Sequence, residues 1–266
     1  MNSLEAKYSA AVLGAIKASE AIMEVYSTDF STTIKGDGSP VTQADLTSSD
    51  IITQYLVPTS IPITGEETIK KPYAIRKKWK ESWCVDPLDG TKEFVRKNGE
   101  FVVSIALIRN QQPHFGVIAS PVSKRIIIGG ADVTPALFTF DQFENPTLWK
   151  ELLSVSGVND PVVVISSRSH YAGNLRSLID KVERNYGQVA SAKMGSALKF
   201  FDLVQGKADV YPRLAPTMEW DIAAGHAIYK AVGGEVISVE TNEPLVYNKE
   251  SLFNPFFVAL KKGVRF

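Results

Sequence analysis

The stretch "WCVDPLDGTKEF", residues 83–94, carries an apolar strand into two aspartates three positions apart and then into glycine, threonine and lysine. Pro87 fixes its own φ and pushes Asp86 toward an extended backbone, while Gly90 permits a sharp exit, so Asp86 and Asp89 can face one small volume. Two carboxylates about 4 Å apart repel by roughly 4 kcal/mol at a protein-surface dielectric. Something cationic is expected to offset that repulsion. The donors are oxygens, and the motif lacks imidazole and thiolate, which favours a hard divalent ion, Mg²⁺ first and Mn²⁺ second, over zinc. A calcium EF-hand fails on spacing, because "DPLDGTKEFVRK" lacks the alternating acids and the closing glutamate.

The residues that follow suit an anion. Gly90, Thr91 and Lys92 open a predicted helix whose free N–H groups and positive dipole end favour a phosphate lying against the cation. Phosphoryl chemistry is the natural reading. The Asp-x-Asp-Gly-Thr pattern of haloacid-dehalogenase phosphatases, with its aspartate nucleophile, spaces its acids differently. His114, His170 and His226 are scattered and form no Ser-His-Asp constellation, so water activated by a metal is the simpler nucleophile.

The whole chain is consistent with a small partner. Its 266 residues suffice for one large domain or two ordinary ones, and 44% hydrophobic with 10% aromatic residues argues for a folded globular protein. Twenty-nine basic residues balance 29 acidic ones, which leaves no broad field to attract polymeric nucleic acid or an anionic membrane. The lone Cys84, between Trp83 and Val85, reads as a small buried hydrophobe and excludes an intramolecular disulfide. That suits a cytoplasmic setting, with loose attachment to the inner membrane face left open. Glu5, Lys7, Lys17 and Glu20 break up the N-terminal apolar segment, so neither a signal peptide nor a transmembrane span is expected; Leu4, Tyr8, Val12, Ile16 and Met23 instead make one face of an amphipathic helix.

Beyond that helix, a turn in "IKGDGSPVTQAD" leads to a second helix starting between Thr42 and Asp45. "IPITGEETI" and "KESWCVDPLDG" read as strands that end on acids, and "FVVSIALIRN", "HFGVIASPV" and "KRIIIGGA" as an antiparallel meander. From Pro161 the rhythm becomes strand, helix, strand, helix, strand, and a last helix is expected from Asp221 to the glycine pair Gly233 and Gly234. The expected domains are therefore residues 1–153, helices on a mostly antiparallel sheet, and 154–266, an α/β unit. Six acids stand at element ends: Asp45, Glu66, Glu67, Asp86, Asp89 and Asp221. Each also has a plain structural reading, Asp45 and Asp221 as helix N-caps, Glu66 and Glu67 as a solvated loop, Asp89 with Gly90 as a turn.

Three motifs together, "GEE" (65–67), "DPLDGT" (86–91) and "WDIAAG" (220–225), resemble the signatures of the inositol monophosphatase superfamily of Mg²⁺-dependent, lithium-sensitive phosphatases. The resemblance spans nearly the whole chain. "DPLDGTKEF", "YPRLAPTMEWD", "SSRSH", "MGSALKF" and "SLFNPFFVAL" are most similar to its CysQ-type 3′(2′),5′-bisphosphate nucleotidases. The resemblance implies a layered αβαβα sandwich of the sugar-phosphatase type. It also implies removal of the 3′-phosphate from 3′-phosphoadenosine 5′-phosphate or its sulfated form, in sulfur assimilation, with two or three Mg²⁺ per site. By position it implies metal ligands at Glu66, Asp86, Asp89, Asp221 and the Leu88 carbonyl. Asp45 would orient Thr91, which helps deprotonate the attacking water, and Gly90 with Thr91 would hold the scissile phosphate. Ser196, Lys199 and Arg213 would hold the 5′-phosphate, and His170 the nucleotide. Arg213 is the discriminating residue, because inositol phosphatases place an acid near it and a cation suits a second phosphate.

The rivals are the same chemistry on another monoester, such as inositol 1-phosphate or fructose 1,6-bisphosphate, and a nucleotide or metal sensor without turnover. The basic stretch "TGEETIKKPYAIRKKWKESW" reads as a solvated connection in preference to a mobile flap.

Overall fold

The computed structural model describes residues 4–36, 38–168 and 173–265. His170 lies outside them. The chain enters through α1 (Ala6–Tyr26), which turns Tyr8, Val12 and Ile16 inward at helical spacing. A hairpin of β1 (Thr32–Ile34) and β2 (Pro40–Thr42) delivers the chain to α2 (Gln43–Leu56). Thr42, not Asp45, is the N-cap of α2. Asp45 stands three residues further on and closes a capping box by accepting the Thr42 N–H at 2.7 Å.

Then follow β3 (Ile63–Gly65), α3 (Tyr73–Arg76), β4 (Glu81–Asp89), α4 (Thr91–Val95), β5 (Val102–Arg109), β6 (Gln112–Ser120), β7 (Arg125–Gly130), β8 (Ala136–Thr139) and β9 (Lys150–Glu151). These seven strands form one sheet in chain order, parallel at β3–β4 and antiparallel elsewhere. The second part runs β10 (Val162–Ser167), α5 (Gly173–Tyr186), β11 (Val189–Met194), α6 (Lys199–Leu203), β12 (Val210–Arg213), α7 (Ala223–Ala231), β13 (Glu235–Ser238) and β14 (Phe257–Leu260). Its sheet order is β11-β10-β12-β14-β13. The helical crossovers make β10 parallel to β11 and β12, and the two final strands, absent from the sequence reading, add antiparallel.

Alternation along the strands builds the layers. On β5, Val103, Ile105 and Leu107 face the cluster of α1 and α2, whereas Val102, Ala106 and Ile108 face the cluster holding α6 and α7. That second cluster continues into Tyr211, Val236, Phe257 and Ala259 of the five-stranded sheet. α5 covers the far side of that sheet with Leu175, Leu178, Ile179 and Val182. The result is the expected αβαβα stack. α7 sits between the sheets with no slack: a Cβ on Gly116 would overlap the Ala224 carbonyl, and one on Gly225 would overlap the ring of Phe200.

Two further expectations need correction. α7 begins at Ala223; Asp221 ends a 3₁₀ turn (Glu219–Asp221), where its carboxylate accepts the Met218 N–H at 3.0 Å. The basic stretch is not simply a solvated connection. Its Arg76 is only 3% exposed and binds across the chain to Asn248, Lys249 and Glu250. The periodicity of α3 is too short for a sequence pattern to show that one cation faces inward.

Candidate active site

A regular strand sends residues three apart to opposite faces. β4 avoids this with a bulge: Asp86 pairs with Ser104 and Asp89 with Val102, so three steps on β4 match two on β5. The extra residue restores the parity, and both carboxylates face the α7 side. Asp86 holds the loop by accepting the Leu88 N–H at 3.1 Å, and Ser48 of α2 donates to the Pro87 carbonyl at 2.6 Å. Gly90 leaves the bulge at φ 101°, where a Cβ would also press on the Glu100 carbonyl and on Ser196.

The other acids approach from separate elements. Glu66 and Glu67 follow β3, and Lys35, just past β1, bridges them, lying 2.8 Å from Glu66 and in contact with Glu67. Asp221 arrives from the turn before α7. Asp89 accepts the Ala197 N–H at 2.5 Å, which ties the first sheet to the turn before α6. Asp45 binds on both sides, accepting from Thr42 Oγ1 at 2.7 Å and from Thr91 Oγ1 at 2.9 Å. Thr91 also lies 3.3 Å from the Leu88 carbonyl.

Crowding and burial set the charge state. Burial first, then the charges of Glu66, Asp89 and Asp221, push the Asp86 carboxyl well above the usual range. Asp221 is pushed up to about 8 by burial and then by Asp89. Burial also raises Asp89, where Lys199, the Ala197 N–H and Arg213 pull back, and raises Glu66, where Lys35 does. Among the described residues no three acidic, histidine or cysteine side chains are already gathered around one point as ligands. Each acid is tied to a neighbour instead. The donor set nevertheless fits a hard divalent ion: it is all oxygen and mutually repelling, buried at Asp86 and half-buried at Glu66, Asp89 and Asp221, and Asp86, Asp89 and Asp221 each spend a single oxygen on a backbone N–H.

One pocket extends from Asp89 and Asp221 past Gly90, Lys92 and Ser196 to Lys199, Tyr211 and Arg213. Ser196 turns into it at φ 48°. Arg213 donates to Ser167 Oγ at 2.6 Å. Lys199, the first residue of α6, is 2% exposed, its ammonium binds the carbonyls of Met194 and Ser196, and burial pulls its pKa down to about 8. Of the residues singled out in the sequence, Asp89, Gly90, Ser196, Lys199, Arg213 and Asp221 line this pocket. Leu88 and Thr91 adjoin it along the chain, Asp86 and Asp45 are bonded to those two, and Glu66 acts on it through charge, raising the pKa of Asp86 and Asp221. Sequence reasoning missed Lys35, Ser48 and the Glu100–Arg168 pair, in which Glu100 also accepts the Gly195 N–H at 2.8 Å. Arg168 belongs to "SSRSH", where the resemblance implies a role only for His170; Lys35, Ser48 and Glu100 sit in no motif, and only the fold brings the set close.

With this geometry in view, the inositol monophosphatase family model matches residues 3–259. The 3′(2′),5′-bisphosphate nucleotidase CysQ of Shigella flexneri is 37% identical over 251 residues, covering 90% of this chain and 94% of that protein. The crystal structure of CysQ from Bacteroides thetaiotaomicron, described as a bacterial member of the inositol monophosphatase family, superposes with a TM-score of 0.84 at 38% identity, covering 96% of this chain and 97% of the other. The extragenic suppressor protein suhB from Bartonella henselae shares the fold at 23% identity, with a TM-score of 0.74 and coverage of 97% and 94%.

Proposed function

The chain belongs to the inositol monophosphatase family, and from that premise we propose that it is a 3′(2′),5′-bisphosphate nucleotidase that removes the 3′-phosphate of 3′-phosphoadenosine 5′-phosphate, leaving AMP and phosphate. Its place as a phosphoric monoester hydrolase with metal-dependent catalysis follows from the family and from the CysQ relatives at this identity and coverage. One observation carries the choice of substrate: a single pocket joins the acids Asp89 and Asp221 to the cations Lys199 and Arg213, so a molecule spanning it meets a metal site at one end and positive charge at the other.

Glu66, Asp86, Asp89, Asp221 and the Leu88 carbonyl are the residues that would hold Mg²⁺. When bound, the ion neutralises phosphate oxygens and makes water a better acid. The chain supplies the rest. Thr91 Oγ1 takes the proton of the attacking water while passing its own to Asp45 Oδ1, which the existing hydrogen bond already aligns. Asp45 suits this part: burial raises its pKa, and three donors from Thr42 and Thr91 keep it in one orientation. The N–H groups at Gly90 and Thr91 receive the transferring phosphoryl group. As its bond to phosphorus breaks, the ribose oxygen takes a proton from a solvent water and leaves as the 3′-hydroxyl, and the proton held by Asp45 returns to solvent to restore that water. Ser196 and Arg213 take the 5′-phosphate. Lys199, already spent on two carbonyls, serves that phosphate mainly through its charge and by fixing the 194–197 turn.

The test is phosphate release from 3′-phosphoadenosine 5′-phosphate, inositol 1-phosphate and fructose 1,6-bisphosphate in parallel, with and without Mg²⁺. A Mg²⁺-dependent preference for the nucleotide supports the reading. Preference for either sugar phosphate overturns the substrate and keeps the chemistry, and silence on all three points to a sensor.

A further inference from the structure

We infer that Arg76 and Asn248, acting through Glu219, are positioning residues that set the spacing between Glu66 and Asp221. The inference rests on the reading of those two acids as ligands of one metal site.

Glu66 and Asp221 come from elements far apart in the chain, and a buried polar network joins the segments that carry them. The strap that leaves Glu66 runs through Lys70 to α3, where Arg76 Nη1 donates to Asn248 Oδ1 at 2.9 Å and to the Lys249 carbonyl at 3.0 Å. Nη2 reaches the Glu250 carbonyl at 3.2 Å, and Nε returns to the strap at the Lys71 carbonyl, 3.0 Å away. Asn248 answers by donating Nδ2 to the Arg76 carbonyl at 2.8 Å. Its own N–H goes to Glu219 Oε2 at 2.6 Å, while Lys249 gives Glu219 Oε1 both its N–H, at 3.1 Å, and its ammonium, at 2.5 Å. Glu219 is 2% exposed and stands two residues before Asp221 in the same 3₁₀ turn. At the other end Lys70 Nζ binds the Glu66 carbonyl and lies 5.1 Å from the ring of Trp220, the residue between Glu219 and Asp221.

Buried charges are poor stabilisers compared with apolar packing, because desolvation offsets most of their attraction. What a fully satisfied network offers is a single geometry. Here the 248–250 segment is held on one side by Arg76 of the strap behind Glu66 and on the other by Glu219 of the turn that presents Asp221. Outer partners that orient ligands typically change metal affinity about 10- to 100-fold when removed.

The experiment is titration of the full chain with Mn²⁺, following the EPR signal of the free ion, alongside thermal unfolding of the metal-free protein. The variants are Asn248→Ala, Arg76→Met and, as a control, Lys261→Met. Lys261 is as buried as Arg76 and pairs with Asp209 at 3.1 Å, but it lies outside the cleft. Arg76→Met and Asn248→Ala are expected to weaken Mn²⁺ binding about tenfold, while Lys261→Met lowers stability and leaves binding within about twofold of wild type. Equal Mn²⁺ affinity in folded Asn248→Ala overturns the inference, as does equal weakening in Lys261→Met. Should Arg76→Met fail to fold, Asn248→Ala decides alone. Phosphate release on the same preparations separates the two readings: wild type that binds Mn²⁺ and hydrolyses none of the three esters removes the substrate assignment and leaves the network standing.

Discussion

The hydroxyl of Thr91 lies 2.9 Å from Oδ1 of Asp45, and that carboxylate is already fixed from its other side by Thr42. A proton leaving water through Thr91 therefore has one place to go. Thr91→Val and Asp45→Asn should each lower kcat for the nucleotide by about 10²- to 10⁴-fold with little change in KM, and Thr91→Ser should retain most of the rate. Steady-state kinetics decide; a variant that changes KM alone would make Thr91 a binding residue only.

Asp89→Asn removes one of four crowded acids while keeping an oxygen for the Ala197 N–H. Without divalent metal this variant should melt at a higher temperature than wild type, because like-charge repulsion falls. Mg²⁺ at a hundred times its dissociation constant should stabilise wild type by about 2.7 kcal/mol and the variant far less. Chelation should abolish wild-type activity, and added Mg²⁺ should restore it. Differential scanning with and without Mg²⁺ reads both signs, and a melting temperature lowered by Asp89→Asn in chelator would contradict the electrostatic account.

Arg213 lines the pocket beyond the acids. Arg213→Gln should raise KM for 3′-phosphoadenosine 5′-phosphate about 10- to 100-fold, the value of a hydrogen bond to a charged group. Its KM for a monophosphate such as 3′-AMP should stay within about threefold. Equal effects on both substrates would place the second phosphate elsewhere.

His226 is 2% exposed with Nδ1 2.8 Å from the Tyr247 hydroxyl, and burial holds its pKa down to about 3 from an ordinary 6.5. The folded form refuses a proton that the unfolded chain accepts. Its contribution to stability is thus complete above pH 6.5 and is lost as pH falls toward 3. The slope approaches about 1.4 kcal/mol per pH unit. Melting temperatures between pH 7 and pH 4.5 should fall less steeply for His226→Asn than for wild type, and parallel curves would assign the acid sensitivity to other groups.

Gly225 faces the ring of Phe200, which is fully buried. Gly225→Ala should cost about 1–3 kcal/mol through overpacking, read as a lower urea midpoint with an unchanged slope. Gly225→Ala combined with Phe200→Leu should recover part of that loss, and no recovery would locate the strain elsewhere.

The layered fold was legible because long periodic runs announce themselves: the α1 face from Tyr8 to Ile16 and the three strands after Phe101 could be read as they stand. β13 and β14 were not, since four-residue strands flanked by a long irregular segment carry too little pattern. In the site, the motif acids were visible as residue types at element ends. The bulge that turns Asp86 and Asp89 to one face was visible only as an odd spacing, and its register with Ser104 and Val102 belongs to the sheet. Lys35, Arg76 and Lys199 are ordinary lysines and arginines in sequence. Lys35 pairs with Glu66, and Arg76 with Asn248, across distant segments that no local window contains, whereas Lys199 bonds within its own turn and only its burial comes from the rest of the fold.

The narrow seat of α7 places Asp221 by absence. Where Gly116 meets the Ala224 carbonyl and Gly225 meets Phe200, neither surface has room for one more carbon. The helix that follows Asp221 is therefore registered against β6 like a key whose fit is cut by removed material, and wear at either glycine can only push it outward. Drift in this family should consequently be lopsided: the acids around the cleft can be exchanged one at a time with the fold intact, whereas the two glycines can change only together with the surfaces they touch.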